Sequence, residues 1–431
     1  MALDNLEVGY MDREKLGELQ LERLINTVKK CEENVPFYKT KMKEVGITWK
    51  DIKTLSDIEN LPFTTKEDLR SAYPFGHLAV PPIEIVRIQI SSGISGEPTI
   101  VGYTKKDIET WSALMRRALT FAGIQKHDIV VVAFEYGLLT SGIGFHYGAE
   151  SLGATVIPSS VSNTKTLIKM LKDFGATVLC STPSYAFFLG EQLEDMGIDR
   201  KQLKLKCAIL GEEIWDERLR KQIERILDIE TFDIYGISEI MGPGVAVECD
   251  RRKGLHIFED AFYPEIVRPE TGEVLGPEEE GELVLTTLTK EGMPLVRYRT
   301  GDVTCLFEKL CDCGSSFRTM ARIKGRTDDM LIIQGVNIFP SQIESVLMSI
   351  EGITPSYQIV VDTREGRDVL QLNIEVTEEM FSDKVQALEE LRDYIKLEVE
   401  SAIGIGIKVC LVEPRNIERY GESTPNIDRR S

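Results

Sequence analysis

The sequence predicts an α/β fold with a large N-terminal domain and a small α+β C-terminal domain. Strand-like and helical segments alternate from about Val80 to Met320, which is typical of a doubly wound sheet with helices on both faces. A charged turn then interrupts the chain, and a further segment with its own strands and helices follows it. At 431 residues the chain is also too long for a single ordinary core.

The first predicted elements are a helix and a hairpin. Apolar residues recur at helical spacing from about Met11 to Lys30, which predicts an amphipathic helix packed on a larger body. The segments Glu84–Ile90 and Thr99–Thr104 alternate as strands do, and a loop rich in serine and glycine joins them.

The central part of the chain supplies the predicted sheet. Helical stretches such as Lys165–Phe174 and Glu217–Leu227 separate short apolar runs. The runs predicted as strands are Ile129–Phe134, Ala154–Pro158, Thr177–Cys180, Cys207–Leu210 and Thr231–Tyr235.

Antiparallel strands are predicted at Gly281–Leu285 and Val303–Phe307. The turn Thr327–Asp329 is the predicted hinge between a large domain, 1–326, and a small C-terminal domain, 327–431. The small domain is expected to contain strands Leu331–Ile333, Ser356–Val361 and Val369–Val376 and helices Ser341–Met348 and Ser382–Ile403.

Composition and charge exclude several classes of protein. With 42% hydrophobic and 28% charged residues, the chain is neither disordered nor fibrous. A net charge of −19 argues against a nucleic acid or an anionic membrane as the main partner. The N-terminus does not have the pattern of a signal peptide, no apolar run is long enough to span a bilayer, and the eight cysteines are dispersed. We therefore expect a cytoplasmic protein.

The serine- and glycine-rich loop is a candidate phosphate site. Its glycines would let the backbone approach a phosphate closely, and its hydroxyls could donate hydrogen bonds. It lacks the Gly-Lys-Ser/Thr ending of a Walker A loop, so a plain hairpin loop is the alternative. The candidate ligands are Ser91, Ser92, Gly93, Ser95 and Gly96.

Two carboxylates further along the chain suit a nucleotide. Glu239 closes the segment Tyr235–Glu239 and could hold a metal ion, while Asp302 could accept hydrogen bonds from both ribose hydroxyls. The alternatives are a solvated carboxylate at a strand end and an ordinary turn aspartate after Gly301.

Three cysteines and one histidine have the spacing of a zinc site. Six residues separate Cys249 from His256, and Cys311 and Cys313 form a Cys-x-Cys-Gly knuckle downstream. Three thiolates and one imidazole complete a tetrahedral Zn²⁺ shell, so the ion would be structural. The alternative is a set of unrelated thiols, as expected for Cys31, Cys180, Cys207 and Cys410.

Several short motifs follow one another along nearly the whole chain. They are Val35–Tyr38, Leu61–Lys66, Tyr136–Leu138, His146–Glu150, Tyr235–Glu239, Met241–Gly244, Gly325–Met330 and Gly335–Ser341. Taken in this order, the motifs resemble those of phenylacetate–coenzyme A ligases, a branch of the adenylate-forming acyl-CoA synthetase superfamily.

This resemblance implies a large multi-subdomain N-terminal adenylate-forming domain and a small mobile C-terminal lid. It also implies an activity: an aryl acid such as phenylacetate or indoleacetate reacts with ATP to form an acyl-adenylate, and coenzyme A then displaces AMP. The implied cofactors are ATP/AMP, Mg²⁺ and coenzyme A, and the implied assembly is a homodimer.

The resemblance also implies roles for individual residues. Glu239 corresponds to the magnesium ligand, Asp302 to the ribose ligand, Arg326 to a ribose or phosphate contact and Asp328 to the hinge. The remaining nucleotide contacts implied are Gly211, Glu212, Glu213, Asp233, Tyr235, Gly236 and Ser238. The implied wall of the acid pocket consists of Tyr136, Phe145, Ile237 and Pro243.

Several residues depart from the family pattern. Ile94 and Ser95 replace threonines of the phosphate loop, Glu97 replaces its lysine, and Glu422 stands at the position of the C-terminal lysine. Ile214 stands where proline is usual. Loss of one preorganised charge donor costs on the order of 3 kcal/mol in the transition state. The alternative function is therefore a nucleotide- and CoA-binding relative whose adenylation is lost or weak.

Overall fold

The structure is a computed structural model of the chain. It describes residues 7–91, 99–137, 140–160, 164–327, 331–333, 336–338, 340–350, 353–364, 367–377, 385–413, 417 and 426–430. The chain divides into two compact units. The larger unit comprises Met1–Glu212 and Ile223–Arg322, and the smaller comprises Glu213–Gln222 and Ile323–Ser431.

The helices have the following bounds. Within the described residues the α-helices are α1 (Arg13–Asn34), α2 (Pro36–Val45), α3 (Lys66–Ser71), α4 (Lys105–Phe121), α5 (Ser141–Leu152), α6 (Thr164–Asp173), α7 (Pro183–Asp195), α8 (Glu217–Leu227), α9 (Pro340–Leu347) and α10 (Val385–Ile403). Short 3₁₀ helices are Glu7–Tyr10, Trp49–Asp51, Leu55–Asn60, Pro82–Glu84 and Arg200–Gln202.

The strands have the following bounds. They are β1 (Ile85–Ser91), β2 (Thr99–Thr104), β3 (Ile129–Val132), β4 (Thr155–Pro158), β5 (Val178–Ser181), β6 (Cys207–Leu210), β7 (Glu230–Ile237), β8 (Gly242–Glu248), β9 (Leu255–Ile257), β10 (Phe262–Val267), β11 (Gly281–Thr287), β12 (Tyr298–Thr304), β13 (Thr319–Met320), β14 (Gly325–Arg326), β15 (Leu331–Ile333), β16 (Val336–Ile338), β17 (Ile353–Arg364), β18 (Arg367–Val376), β19 (Ile407–Val412) and β20 (Asn426–Arg430).

One mixed sheet organises the larger unit, in the order β13-β9-β8-β7-β6-β5-β3-β4. The strands from β4 to β7 pair in parallel, whereas β8, β9 and β13 continue the sheet antiparallel. The parallel strands are short apolar runs; Val130, Val131 and Val132 are fully buried, as expected where helices cover both faces. The predicted α/β class is confirmed.

Most predicted strands agree with the structure to within a few residues, and the antiparallel region contains one correction. The predicted bounds Val303–Phe307 are wrong, because the strand there is β12, which begins at Tyr298 and ends at Thr304. This strand carries the polar residues Arg299, Thr300 and Asp302 around Gly301, so the sequence there is typical of a turn rather than a strand.

The smaller unit has its own core. Its main sheet has the order β19-β18-β17-β20, with β17 and β18 antiparallel and the outer strands parallel to their neighbours. Leu372 and Ile374 of β18 share one apolar cluster with Ile395 and Val399 of α10, and all four are fully buried. Mixed pairing covered by helices confirms the predicted α+β class of this segment.

A buried arginine joins the N-terminal segment to the rest of the larger unit. The Arg297 guanidinium donates to both carboxylate oxygens of Glu265, at 3.1 and 2.8 Å, and to the carbonyls of Glu59 and Leu61, at 2.7 and 2.9 Å. Its charged carbon lies 4.0 Å from the ring centre of Phe63. Burial raises the pKa of Glu265 and the charge of Arg297 opposes that shift. The arginine thus holds three separate segments together.

Replacing Arg297 by alanine should destabilise this unit strongly. Arg297→Ala leaves the Glu265 carboxylate buried without its partner, and breaking such a pair costs about 3 to 5 kcal/mol. Urea unfolding followed by tryptophan fluorescence measures this loss in the free energy of unfolding. Arg268→Ala is the matched control: it breaks the exposed Arg268–Glu273 pair and should cost below about 1 kcal/mol. Equal losses in both variants would contradict the assignment.

Candidate active site

The predicted nucleotide residues of the larger unit gather around the carboxyl end of β7. Strand β7 pairs in parallel with β6 on one side and antiparallel with β8 on the other. The loops that leave β6 and β7 therefore open at the same edge, where α/β sheets bind their ligands. Gly211 follows β6 directly, and Tyr235 and Gly236 lie in the last part of β7.

Two glycines are required where these backbones approach each other. A side chain at Gly211 would meet the Ile234 carbonyl oxygen at 2.7 Å. A side chain at Gly236 would meet the Gly242 carbonyl oxygen at 2.1 Å. Gly236 lies opposite Pro243 across the β7–β8 pair, so the two strands close tightly at this point.

A tyrosine and an aspartate from different strands meet in the site. The Tyr235 hydroxyl donates to Asp302 Oδ2 at 2.6 Å, and both side chains are buried. Asp302 lies in an irregular stretch of β12, where the register to β11 shifts and Gly301 has a φ of 80°. Bulges of this kind redirect a side chain. The two residues predicted to bind the nucleotide are thus in direct contact, and their ligand roles stay predictions.

Asp233, one of the predicted nucleotide contacts, forms an ion pair with Arg322. Arg322 Nε lies 3.4 Å from Asp233 Oδ2, and another Arg322 nitrogen lies 3.4 Å from Glu248 Oε1. The Glu248 carboxylate also accepts from the Asp233 backbone N–H at 2.8 Å. This buried network stabilises the junction of β7 and β8, next to the residues that face the site.

Glu239 lies in the turn that follows β7. Its side chain is only 8% exposed, and its carboxylate lies 3.8 Å from Lys66 Nζ, beyond hydrogen-bond distance. A buried carboxylate that makes only this long ion pair among the described residues fits the oxygen ligand that a hard divalent cation prefers. Lys66 belongs to a segment that resembles the family, but no role was assigned to it from the sequence.

The turn also rests on a buried lysine that the sequence analysis missed. Lys290 Nζ donates to the carbonyls of Glu239 and Ile240, at 2.9 and 2.8 Å. Burial lowers the pKa of Lys290 to about 8, while the charges of Asp107 and Glu239 oppose the shift. A lysine beside the apolar strand β11 offered only a weak signal, because nothing local in the sequence shows that its ammonium is buried.

The predicted acid-pocket residues occupy different environments. Phe145 is buried and stacks on Phe134, with ring centres 5.0 Å apart. Tyr136 is half-buried, and its hydroxyl lies 3.4 Å from His146 Nδ1. Pro243 is buried and accepts a hydrogen bond from the Trp111 indole at 3.0 Å, whereas Ile237 is half-buried at the end of β7.

Hydroxyl groups lie beside the predicted nucleotide loop. Ser141, the first residue of α5, donates to the Glu212 carboxylate. Glu212 has a φ of 72°, which turns the chain sharply after β6. Thr140 and Ser238 share a hydrogen bond of 3.0 Å. Ser141 and Thr140 were not predicted, since a serine or threonine at a helix start is common for capping alone.

The other predicted residues cannot be placed in this site. Arg326 lies on β14 of the smaller unit and is half-buried, and Glu213 also belongs to that unit. Only the backbone of Ser91 is described, at the end of β1. The predicted residues Ser92, Gly93, Ser95, Gly96 and Asp328 lie outside the described residues, as do Ile94, Glu97 and Glu422.

A second cluster gathers the predicted zinc ligands. Cys249 follows β8, His256 lies on β9, and Cys311 and Cys313 lie in the loop between β12 and β13. One ligand atom from each residue lies within 4.8 Å of all the others. Burial raises the pKa of Cys249 and lowers that of His256 to about 4, so the imidazole is neutral and able to bind a metal.

The distances in this cluster match a tetrahedral ion. Bonds of about 2.3 Å to sulfur place two thiolates about 3.8 Å apart around zinc. The sulfurs of Cys249 and Cys311 are 3.7 Å apart, and His256 Nε2 lies 3.4 Å from Cys313 Sγ. His256 Nδ1 lies 3.3 Å from the Phe317 carbonyl, the partner that leaves Nε2 free as a ligand.

Family profiles match both parts of the chain. The profile of AMP-binding enzymes matches residues 18–288, and the profile of the AMP-binding enzyme C-terminal domain matches residues 335–430. Among the described residues, no helix combines the length and apolar character that crossing a membrane requires.

Curated relatives match nearly the whole chain. A phenylacetate–coenzyme A ligase of Thermus thermophilus is 44% identical over 96% of this chain and 96% of its own length. A phenylacetate–coenzyme A ligase of Escherichia coli is 45% identical over 97% of this chain and 95% of its own length. A crystal structure of 2-hydroxyisobutyryl-CoA ligase in the postadenylation state superposes with a TM-score of 0.89, at 26% identity, covering 100% of this chain and 93% of that one.

Proposed function

The chain belongs to the AMP-binding enzymes and, within them, to the phenylacetate–coenzyme A ligases, and from this premise we propose that it joins an aryl acid to coenzyme A with formation of AMP. One structural observation supports the proposal most strongly. Tyr235 binds Asp302 at the carboxyl end of β7, and Glu239 lies in the turn that follows this strand, so a ring contact, a ribose acceptor and a metal ligand come from one edge of the sheet. Phenylacetate is the leading acid, because it is the substrate in the relatives' names.

The reaction has two displacement steps. An oxygen of the acid attacks the α-phosphorus of ATP, an acyl–oxygen–phosphorus linkage forms, and pyrophosphate leaves. The sulfur of coenzyme A then attacks the acyl carbon, a thioester forms, and AMP leaves with the bonding electrons. The first step turns a poor leaving group into a good one, so the protein must mainly position the reactants and offset their negative charge.

The residues of the larger unit suit these tasks. Asp302 would accept from the ribose hydroxyls, and its hydrogen bond from Tyr235 fixes the carboxylate in place. Gly236 lets β8 pack closely against β7, since a side chain there would meet the Gly242 carbonyl oxygen at 2.1 Å, and the family resemblance assigns it the contact with the α-phosphate. Lys66 supplies an ammonium close to Glu239, where phosphate charge would gather.

A magnesium ion fits the donor set of this site. Glu239 would hold it, because its buried carboxylate is an anionic oxygen whose ion pair with Lys66, at 3.8 Å, is longer than a hydrogen bond. The ion would offset the charge of the phosphates of ATP. Lys66 would then contact the phosphates as well as Glu239.

The alternative of a relative that has lost adenylation is not favoured. Relatives with 44% and 45% identity are phenylacetate–coenzyme A ligases, and they match nearly the full length of this chain. Glu97 and Glu422, which motivated the alternative, lie outside the described residues. Lys66 offers one compensating positive charge in the described part of the site.

We propose further that Cys249, His256, Cys311 and Cys313 bind a structural Zn²⁺. The donors are four, so no coordination position stays open for a reactant. Ser315 Oγ and the Ser316 backbone N–H donate to the Gly9 carbonyl, at 3.0 and 2.8 Å, beside this cluster. An ion there would tie the N-terminal segment and three strands together.

Other features of the protein remain proposals that the family resemblance supports. They are a hinge near Thr327–Asp329 between a large domain, 1–326, and a lid, 327–431, as well as a homodimer and a cytoplasmic location. The larger compact unit ends at Arg322, a few residues before the proposed hinge.

The wild-type protein should form AMP and an aryl thioester from phenylacetate, ATP, Mg²⁺ and coenzyme A. Glu239→Gln should lower kcat of adenylation about 100-fold, because it removes the anionic ligand. Pyrophosphate release measures this step. Glu291→Gln, which changes a partly exposed glutamate of the same unit, is the control and should keep wild-type activity. Absence of turnover with every aryl acid tested would contradict the proposed function.

Asp302→Asn should weaken nucleotide binding while leaving the fold intact. The amide keeps the size of the side chain but loses the charge that accepts from two hydroxyls, which should raise the dissociation constant of AMP about 10-fold or more. Calorimetric titration measures it, with the helix-surface variant Asp173→Asn as control. An unchanged constant in Asp302→Asn would show that the ribose does not bind there.

Zinc should be present in near-stoichiometric amount in protein purified without chelators. Cys313→Ser should lose most of it, since a hydroxyl is a poor zinc ligand. Elemental analysis gives the content, and Co²⁺ substitution should give the absorption of tetrahedral thiolate coordination. Cys180→Ser, at a buried thiol outside the cluster, is the control. A protein without metal, or equal zinc in both variants, would contradict the proposal.

A further inference from the structure

The turn that carries Glu239 is held by its carbonyl groups. The Tyr103 hydroxyl lies 3.4 Å from the Ser238 carbonyl oxygen and 3.2 Å from that of Met241. Lys290 Nζ lies 2.9 and 2.8 Å from the carbonyl oxygens of Glu239 and Ile240. Four consecutive peptide oxygens therefore lie within hydrogen-bond distance of two side chains, which we call the carbonyl clamp (Tyr103 and Lys290).

The two members of the clamp also contact each other. Lys290 Nζ lies 5.0 Å from the ring centre of Tyr103. An ammonium over an aromatic face is attracted by the electrons of the ring, and more strongly when water is excluded. Both side chains are almost completely buried, so the clamp is a single unit inside the protein.

The backbone that carries Lys290 is itself anchored. Asp107 accepts from the backbone N–H groups of Glu291 and Gly292, at 2.6 and 2.8 Å. The same carboxylate accepts from the Thr104 N–H at 2.9 Å and so completes the capping box at the start of α4. The clamp thus connects the turn to α4 and β2, two rigid elements outside the turn.

The clamp leaves the Glu239 carboxylate free. Every hydrogen bond that the clamp makes to the turn goes to a main-chain oxygen. Burying an ammonium costs free energy, and the two hydrogen bonds from Lys290 to carbonyl oxygens offset part of that cost. These bonds fix the peptide that carries a metal ligand, and groups that orient a ligand strengthen metal binding.

We propose that Tyr103 and Lys290 are positioning residues that hold the turn 237–241 so that the Glu239 carboxylate receives the divalent cation of the nucleotide. The inference rests on the proposed function for the identity of that ligand. It adds two residues that act through the carbonyl groups of the turn.

The test compares Lys290→Met and Tyr103→Phe with the control Lys106→Met. The control removes an exposed ammonium that binds Glu291, close to Lys290 along the chain but on the solvent side. Mn²⁺ binding is measured by electron paramagnetic resonance with a non-hydrolysable ATP analogue present. Amide hydrogen exchange of the peptide covering 236–242 is measured on the protein without ligands.

The clamp predicts a graded outcome. Lys290→Met should weaken Mn²⁺ binding about 10-fold or more, the usual effect of losing a group that orients a ligand. Tyr103→Phe should give a smaller loss in the same direction. Both should speed exchange in the 236–242 peptide, and Lys106→Met should change neither quantity. In activity assays of Lys290→Met and Tyr103→Phe, the Mg²⁺ concentration that gives half-maximal adenylation should rise. The rate at which coenzyme A converts supplied acyl-adenylate should stay near that of the wild type.

Two results would overturn the proposal. Wild-type Mn²⁺ affinity in Lys290→Met or, if that variant does not fold, in Tyr103→Phe would exclude a positioning role. Equal loss of both half-reactions with unchanged metal affinity would make the clamp a general stability feature. Failure of the wild type to turn over any acid would instead refute the proposed function, and the exchange result on the ligand-free protein would still decide whether the clamp holds the turn.

Discussion

The site depends on how β7 ends. This strand closes the parallel half of the sheet and begins the antiparallel half, so its neighbours run in opposite directions at its carboxyl end. Gly236 lets β8 return at a distance that no side chain would permit, and the turn between the strands carries Glu239. If β8 were displaced there, the buried carboxylate would lose its place relative to Tyr235 and Asp302.

Other buried contacts tie distant segments of the chain to this region. Arg297 joins the N-terminal segment to β10, and the pair Arg117–Asp260 joins α4 to the residues before β10, with a shortest distance of 2.6 Å. Lys290 joins the loop after β11 to the turn after β7. Each uses a cation with several donors, which suits the joining of several main-chain or carboxylate oxygens at one point.

Much of the fold could be predicted from local sequence. The bounds of β6 and α8 agree with the predicted ones, because apolar strands and amphipathic helices have strong periodic signals. The bounds of strand β12 could not be predicted, since its bulge interrupts the alternation of polar and apolar residues that is typical of a strand. The zinc cluster was predicted from spacing, and its four residues do meet. Lys290 and Tyr103 were not, because their role arises from contacts across 50 or more residues of chain that no local pattern encodes.

The central claim is that the carboxyl end of β7 gathers an adenylate. Calorimetric titration with a non-reactive sulfamoyl analogue of phenylacetyl-adenylate tests it most directly, because such a ligand carries the acid, ribose and adenine in one molecule. The account predicts binding at least about 100-fold tighter than that of ATP, as expected for a mimic of the reaction's intermediate. Absence of binding at millimolar concentration, or affinity equal to that of ATP, would contradict it.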